Sequence, residues 1–107
     1  MISPRPQLWL HTLPTDMRKS FDGLTALVRN NMQQDPCSGN GYIFVNRRKT
    51  MLKLIYFESH GYCIWHKRLE AGQFNFSQTK QEVLLNQTEF NALIEGIKIK
   101  KIRQFKR

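Results

Sequence analysis

Carboxylates are the first residues to consider for chemistry, because nucleic-acid cleavage commonly needs about two or three of them around metal ions. Asp16 and Asp22 lie six positions apart on one predicted helix, whereas side chains that share a helix face lie about three or four apart. Asp35 and Glu58 lie in predicted turns, where an acidic side chain usually caps the backbone or is solvated. We therefore predict no catalytic residues.

Histidines and cysteines form one spacing that is similar to a metal site, His60-x-x-Cys63-x-x-His66. On an extended strand, His60 and His66 lie ~20 Å apart at ~3.3 Å per residue, and Cys63 points to the other face. One zinc ion cannot bridge that distance. His11 is isolated, and no glycine-rich loop has the spacing that cradles a phosphate. We predict no metal, no cofactor, no small-molecule substrate and no enzymatic activity.

Basic side chains supply the remaining chemistry. The 107 residues carry a formal net charge of +9. Six Lys and Arg residues without any acid occupy 98–107, and six more occupy 47–68 beside a single acid, Glu58. This distribution favours a polyanionic partner, either nucleic acid or an anionic membrane surface. The alternative is that the charge only keeps the protein in solution.

Two of the basic clusters flank a predicted β-hairpin. Met51 to Phe57 and Tyr62 to Trp65 are strand-like runs separated by the break Glu58–Gly61. Antiparallel pairing brings the start of one strand beside the end of the next. The pattern therefore predicts Arg47-Arg48-Lys49 and Lys67-Arg68 at the same end, as one positive edge.

Strands at about 42–46, 51–57 and 62–67 are expected to present two faces, since side chains alternate along a strand. One face is predicted to lie under the first helix and consists of Ile43, Val45, Leu52, Leu54, Tyr56, Cys63 and Trp65. The opposite face mixes aromatic with positive or titratable groups, as base-stacking sheet surfaces do. It consists of Tyr42, Phe44, Lys53, Ile55, Phe57, Tyr62, Ile64 and His66, among which Phe44, Tyr62 and His66 are the candidate stacking residues. The alternative is that a second layer or a dimer partner covers this face.

Two helices are predicted around these strands. Apolar residues at helical spacing indicate an amphipathic helix at about 16–30, with Thr15 as its cap and Asp16 at its positive end. The run Asn86-Gln87-Thr88-Glu89 resembles a capping box, and the short helix after it is expected to end near Gly96. Further short strands are predicted at 7–11 and 73–76, with a loop at 77–82.

These elements predict an α+β fold: a small antiparallel meander sheet of three to five strands, an N-terminal amphipathic helix packed on one face, and a short C-terminal helix. The predicted organisation is a single domain at 1–97 and a basic tail at 98–107. Prolines interrupt the start of the chain, no segment approaches ~20 apolar residues, and Cys37 and Cys63 are too few for a disulfide framework. We expect a cytoplasmic protein with no membrane partner.

Four segments in this order and spacing carry a resemblance to a known family: DMRKSFDGL at 16–24, NRR at 46–48, KLIY at 53–56 and WHKRLEAGQF at 65–74. Over roughly 8–97 they are similar to the TnpB-type accessory protein encoded by the second open reading frame of bacterial insertion sequences of the sixty-six family, which is distinct from the RNA-guided nuclease of the same name. The resemblance implies a helper that is needed for transposition beside a separate, larger transposase carrying the acidic catalytic residues. His66 stands where an aromatic residue is expected, and the basic tail is a second departure.

Residues and resemblance together lead to one hypothesis, a small non-catalytic accessory protein for transposition that binds DNA at the element ends or without sequence preference. Arginine forks match phosphate geometry well. The predicted phosphate-binding residues are Arg47, Arg48, Lys49, Lys53, Lys67 and Arg68, with Arg18 and Lys19 flanking them. Two alternatives stay open: an adaptor that binds the transposase or another element-encoded protein through the aromatic face, and an RNA-binding regulator.

Overall fold

The computed structural model describes residues 5–97, so the predicted tail at 98–107 lies outside the described residues. The described part contains five strands and two helices. In chain order these are β1 (Leu8–His11), α1 (Phe21–Asn30), β2 (Gly41–Val45), β3 (Met51–Glu58), β4 (Gly61–Arg68), β5 (Glu82–Leu85) and α2 (Gln87–Glu95).

All five strands form one sheet in the order β4-β3-β2-β1-β5. The β2-β3-β4 meander is antiparallel as predicted, but β1 pairs with β2 in parallel and with β5 antiparallel. The α+β class is therefore confirmed, while the sheet is mixed and not wholly antiparallel. The difference arises because α1 lies between β1 and β2 and gives the chain the long crossover that a parallel pair requires.

Register within the meander agrees with the prediction. Phe44 lies opposite Lys53, and Lys53 lies opposite His66. Glu58 pairs with Gly61, so Ser59 and His60 form a two-residue turn with φ angles of 49° and 71°. Positive φ at both positions is the signature of a type I′ turn, whose twist matches that of the strands it joins.

The two sheet faces are exchanged relative to the prediction. Leu24 and Val28 of α1 pack on Tyr42, Phe44 and Ile55, which is the face proposed as a stacking surface, with cover by a second layer or a dimer partner as the alternative. The face expected under α1 is covered instead by α2 and the segment before β5, because Phe74 and Leu93 pack with Leu10, Ile43, Val45 and Leu52. Both faces of the sheet are apolar, so the alternation of apolar residues alone does not decide which helix covers which face. A parallel β-α-β connection has a strongly preferred hand, and that constraint was missing from an all-antiparallel prediction.

Helix α1 begins at Phe21 and not near residue 16, so Thr15 is not its cap. The ammonium of Lys53 donates hydrogen bonds to the carbonyls of Met17 at 2.8 Å and Lys19 at 2.7 Å. Those carbonyls would otherwise accept from residues four positions later in a longer helix. Ser20 stands at the N-cap position, and the helix begins immediately after the anchored segment.

Helix α2 carries the predicted capping box. The Asn86 side chain accepts from the Glu89 N–H at 2.7 Å, and the Glu89 carboxylate accepts from the Asn86 N–H at 2.8 Å. Gly96 ends the helix with a φ of 76°, and a Cβ there would lie 2.8 Å from the Leu69 side chain. Residues 73–76 do not form a strand; Gln73 makes only an isolated bridge with Ile97. No helix between residues 5 and 97 is long and apolar enough to cross a membrane.

Candidate nucleic-acid interface

Three segments of the chain meet at one end of the sheet. Met51 pairs with Arg68, so the β2–β3 loop and the end of β4 lie side by side, as the hairpin prediction requires. The segment before α1 reaches the same end, because the Thr15 N–H donates to the Val45 carbonyl at 2.9 Å. Lys53 fastens this segment further through its bonds to Met17 and Lys19.

The β2–β3 loop is held in shape by Asn46. Its side-chain oxygen accepts from the N–H groups of Thr50 at 2.9 Å and Met51 at 3.0 Å, and its amide donates to the Thr50 hydroxyl. On the other side of the loop, the Gln73 amide donates to the Arg48 carbonyl at 2.8 Å. Arg47 and Arg48 are exposed on this fixed backbone, so their guanidinium groups are free to meet a ligand.

An open groove runs between the segment before α1 and this loop. It encloses about 700 Å³ and brings together three arginines from two distant parts of the chain, Arg18, Arg47 and Arg48. We call it the arginine groove. Its lining residues are Pro14, Thr15, Asp16, Met17, Arg18, Asn46, Arg47, Arg48, Thr50 and Met51.

Asp16 pairs with the exposed Arg18 side chain at the arginine groove. The guanidinium donates to both carboxylate oxygens, with the shortest contact 2.7 Å. The Arg18 N–H also donates to the same carboxylate at 2.9 Å. The Arg18 hydrogen bond lowers the pKa of Asp16 to about 2, and Asp16 raises the pKa of Arg18. The pair stays ionised at neutral pH, and its carboxylate offsets one of the groove's three positive charges.

Two predicted site residues are wrong. Phe44 is fully buried beneath α1, so its ring cannot stack on a base. Lys53 is 9% exposed and its ammonium is bonded to two carbonyls of the fold, so it is a structural lysine and not a phosphate ligand. Helix α1 covers the part of the aromatic face that Tyr42, Phe44 and Ile55 form, so an adaptor could use only the part on β4, where Tyr62 is half-buried and His66 is exposed.

Most of the other predicted basic residues have partners within the fold. The Lys67 ammonium donates to the Ile94 carbonyl at 2.6 Å, at the end of α2. Lys49 lies over the Phe76 ring at 4.7 Å. Arg68 pairs with Glu70 at 3.0 Å in an exposed contact, and the Lys19 residue is exposed. Exposed ion pairs contribute little and exchange readily, so Arg68 and Lys19 remain predicted DNA contacts at the margin of the arginine groove.

His66 and Tyr62 lie on β4 and remain candidate stacking residues. His66 is exposed, and burial lowers its pKa, with Lys53 and Arg68 adding to the effect. The ring is therefore largely neutral at physiological pH and contributes no full charge. The Tyr62 hydroxyl contacts the Cys37 sulfur at 3.1 Å, and its ring packs edge-on against Phe57 at 5.1 Å. Neither side chain lines the arginine groove.

Sequence reasoning missed the residues that position the arginines. Asn46 closes the β2–β3 loop through local hydrogen bonds, whereas the hydrogen bonds of Thr15 and Gln73 join segments far apart in the chain. The one local signal was Asn46 immediately before two arginines, which is typical of a side chain that closes a turn. Asp16 was assigned to a helix end, and its pairing with Arg18 was not predicted.

Comparisons with known proteins agree with the resemblance drawn from the four segments. The family described as "IS66 Orf2 like protein" matches residues 6–104. The chain is 33% identical over 92 residues to "Uncharacterized protein y4jC" of Sinorhizobium fredii (strain NBRC 101917 / NGR234), an alignment covering 85% of this chain and 79% of the relative. It is 29% identical over 92 residues to "Uncharacterized protein y4hO" of the same strain, covering 85% and 80%. No solved structure matches the chain significantly.

Proposed function

Because this chain belongs to the IS66 Orf2-like family of insertion-sequence accessory proteins, we propose that it acts in transposition by binding DNA phosphates through the arginine groove, without catalysing a reaction itself. The observation that carries the proposal is the convergence of Arg18, Arg47 and Arg48 on one open groove. Arg18 lies 29 positions before Arg47 in sequence, and specific hydrogen bonds bring the two segments together.

Geometry of the arginine groove suits a phosphate backbone. The Arg47 and Arg48 side chains are exposed on a loop whose backbone is fixed on both sides, so the loop loses little conformational entropy when it binds. Each guanidinium presents a planar fork that matches a phosphate. Contacts of this kind position a protein on the duplex without reading its sequence. Any preference for the element ends would then come from DNA shape or from other element-encoded proteins.

The chain leaves the described part beside the same loop. Ile97 exchanges backbone hydrogen bonds with Gln73 at 2.7 and 3.0 Å, and Gln73 in turn donates to the Arg48 carbonyl. Residues 98–107, which follow directly, carry six Lys and Arg. We propose that this basic segment acts on the same DNA as the arginine groove.

Salt-dependent binding to duplex DNA tests the proposal. The purified protein would be titrated onto element-end and scrambled duplexes across a salt series, as the native chain and as the Arg47→Ala/Arg48→Ala variant. Loss of two phosphate contacts is expected to lower the log–log salt slope by about 1.8 and the affinity by at least about tenfold. The matched control is Arg5→Ala/Arg29→Ala, which removes the same charge from exposed positions outside the groove.

Three outcomes would contradict DNA binding through the arginine groove. Equal losses in the groove variant and the control would mean that only net charge matters, and would refute the groove as the binding site. Tighter binding to RNA of the same sequence would favour the RNA-binding regulator. No binding at moderate salt, together with capture of purified transposase that survives high salt and nuclease, would favour an adaptor.

A further inference from the structure

Strand β4 is an unprotected edge of the sheet. It is eight residues long and lies at one edge of the sheet, whereas β5, the strand at the opposite edge, has four residues. Its register with β3 runs without interruption from Met51 opposite Arg68 to Glu58 opposite Gly61, so it contains no bulge, and it contains no proline. Bulges and prolines are two devices by which proteins block edge strands; charged side chains are a third, and β4 carries them only at its C-terminal end, at Lys67 and Arg68.

The outward-facing backbone groups of β4 can be assigned from the ladder. The Leu69 N–H donates to the Thr50 carbonyl at 2.8 Å, one position beyond the last strand pair and in the same register. Opposite residues in an antiparallel ladder alternate between hydrogen-bonded and non-hydrogen-bonded pairs. The odd-numbered residues of β4 therefore bond to β3, and the even-numbered ones direct N–H and C=O outward. The outward set is Tyr62, Ile64, His66 and Arg68.

We propose that a second copy of this chain pairs with this edge, β4 against β4, antiparallel about a two-fold axis at Trp65. In this register Ile64 of each copy lies opposite His66 of the other, and Tyr62 lies opposite Arg68. All the outward backbone groups of one strand then meet those of its partner, which makes the edge complementary to itself.

Side chains along β4 fit the same register. Trp65 is 41% exposed, and on the axis it forms a non-hydrogen-bonded pair with Trp65 of the other copy. Side chains are closest at such pairs, and aromatic pairs there stabilise a sheet. The charged residues Lys67 and Arg68 lie at one end of the strand, so the antiparallel arrangement places them opposite Cys63 and Tyr62. Parallel pairing would instead set like charges against each other.

Sedimentation equilibrium of the full chain across micromolar concentrations tests this interface. The native chain is expected to approach the mass of a dimer. His66→Pro removes an outward N–H that makes no hydrogen bond within the monomer. The His66 residue is exposed, so the change does not disturb the core. Proline is tolerated at such positions on edge strands. By symmetry two intermolecular hydrogen bonds are lost, so the dissociation constant of the dimer is expected to rise by about thirtyfold or more. The matched control His66→Ala keeps the N–H and is expected to remain dimeric.

Disulfide trapping tests the register. With Cys37 and Cys63 replaced by serine, Trp65→Cys is expected to oxidise to a covalent dimer, since ~4.5 Å between Cα atoms falls within disulfide range. Leu84→Cys, an equally exposed position on β5, is expected to stay monomeric. A native chain that is monomeric at every concentration would overturn the proposal. A His66→Pro dimer as tight as the native one, or equal trapping at positions 65 and 84, would also overturn it.

Discussion

At the scale of single residues, Asp16 sets the charge of the arginine groove. It is the only acid among the groove's lining residues, and its carboxylate accepts hydrogen bonds from Nε and Nη2 along one edge of the Arg18 guanidinium. A bound phosphate would have to share Arg18 with this carboxylate. Asp16 therefore both orients Arg18 and opposes a polyanion.

Replacing Asp16 with asparagine is expected to raise DNA affinity by about threefold and to steepen the salt slope, since one more cation becomes free to neutralise phosphate. Fluorescence titration at fixed salt measures the change. Asp22→Asn makes the same charge change on an exposed part of α1 outside the groove, and should raise affinity much less. Unchanged or weaker binding in Asp16→Asn would show that orientation of Arg18 outweighs charge.

His66 makes stability depend on pH. Burial, Lys53 and Arg68 lower its pKa below 6.5 in the folded chain, so the unfolded chain takes up the proton more readily. The His66 contribution to the free energy of unfolding is fully present above pH 6.5 and is lost as the pH falls through the lowered pKa. Urea unfolding on either side of that pH should show a smaller loss of stability in His66→Gln than in the native chain. His60→Gln, in the exposed turn, should leave the loss as it is.

At the scale of elements, Lys53 joins the sheet to the segment that carries Arg18. Its two bonds to the Met17 and Lys19 carbonyls decide where α1 begins and where the groove wall lies. Lys53→Met should cost about 2 kcal/mol of unfolding free energy, because partly buried acceptors lose their donor. It should also weaken DNA binding through displacement of Arg18. Lys19→Met, an exposed change in the same segment, should leave the unfolding midpoint nearly unaltered. Equal stability of the two variants would refute the anchoring role.

The elements that could be predicted are those decided by neighbouring residues. The Glu58–Gly61 break set the hairpin register, and the Asn86–Glu89 capping box set the start of α2. The start of α1 could not be predicted because its cause, Lys53, lies more than thirty positions away. Strand β5 has only four residues after a polar run, so its pairing with β1 decides its conformation more than its own composition does.

The residues of the candidate site also divide into those that neighbouring residues position and those that distant contacts position. Grouping of Arg47, Arg48 and Arg68 at one end follows from hairpin pairing and was predicted. Arg18 was predicted as a flanking contact, and its position in the groove depends on a hydrogen bond from Thr15 to β2. The exclusion of Phe44 depends on which face α1 covers, which is a consequence of the parallel β1–β2 pair. A single missed strand pairing therefore accounts for most of the error in the predicted stacking face.

At the scale of the whole molecule, positive charge is concentrated at one end of the sheet. The arginine groove lies there, and Ile97, which directly precedes the basic residues 98–107 in sequence, is bridged to Gln73 beside the same loop. The other end carries the Ser59-His60 turn and Glu58. If the groove and the basic segment act on one stretch of DNA, each should make its own contribution to the salt dependence of DNA binding, and the two contributions should be separable.

Truncation after Ile97 tests this division, because it keeps the bridge to Gln73 and leaves the described fold intact. Removal of six cations should lower the salt slope by up to about 5, at ~0.9 per phosphate contact, and should weaken binding to element-end and scrambled duplexes by the same factor. The remaining affinity should still fall when Arg47 and Arg48 are replaced by alanine, since the groove makes its own contacts. Binding to both duplexes is measured across the same salt series, and the melting temperature checks that the fold is retained. A truncated chain that no longer responds to Arg47→Ala/Arg48→Ala would mean that residues 98–107 bind DNA alone and that the arginine groove serves another purpose.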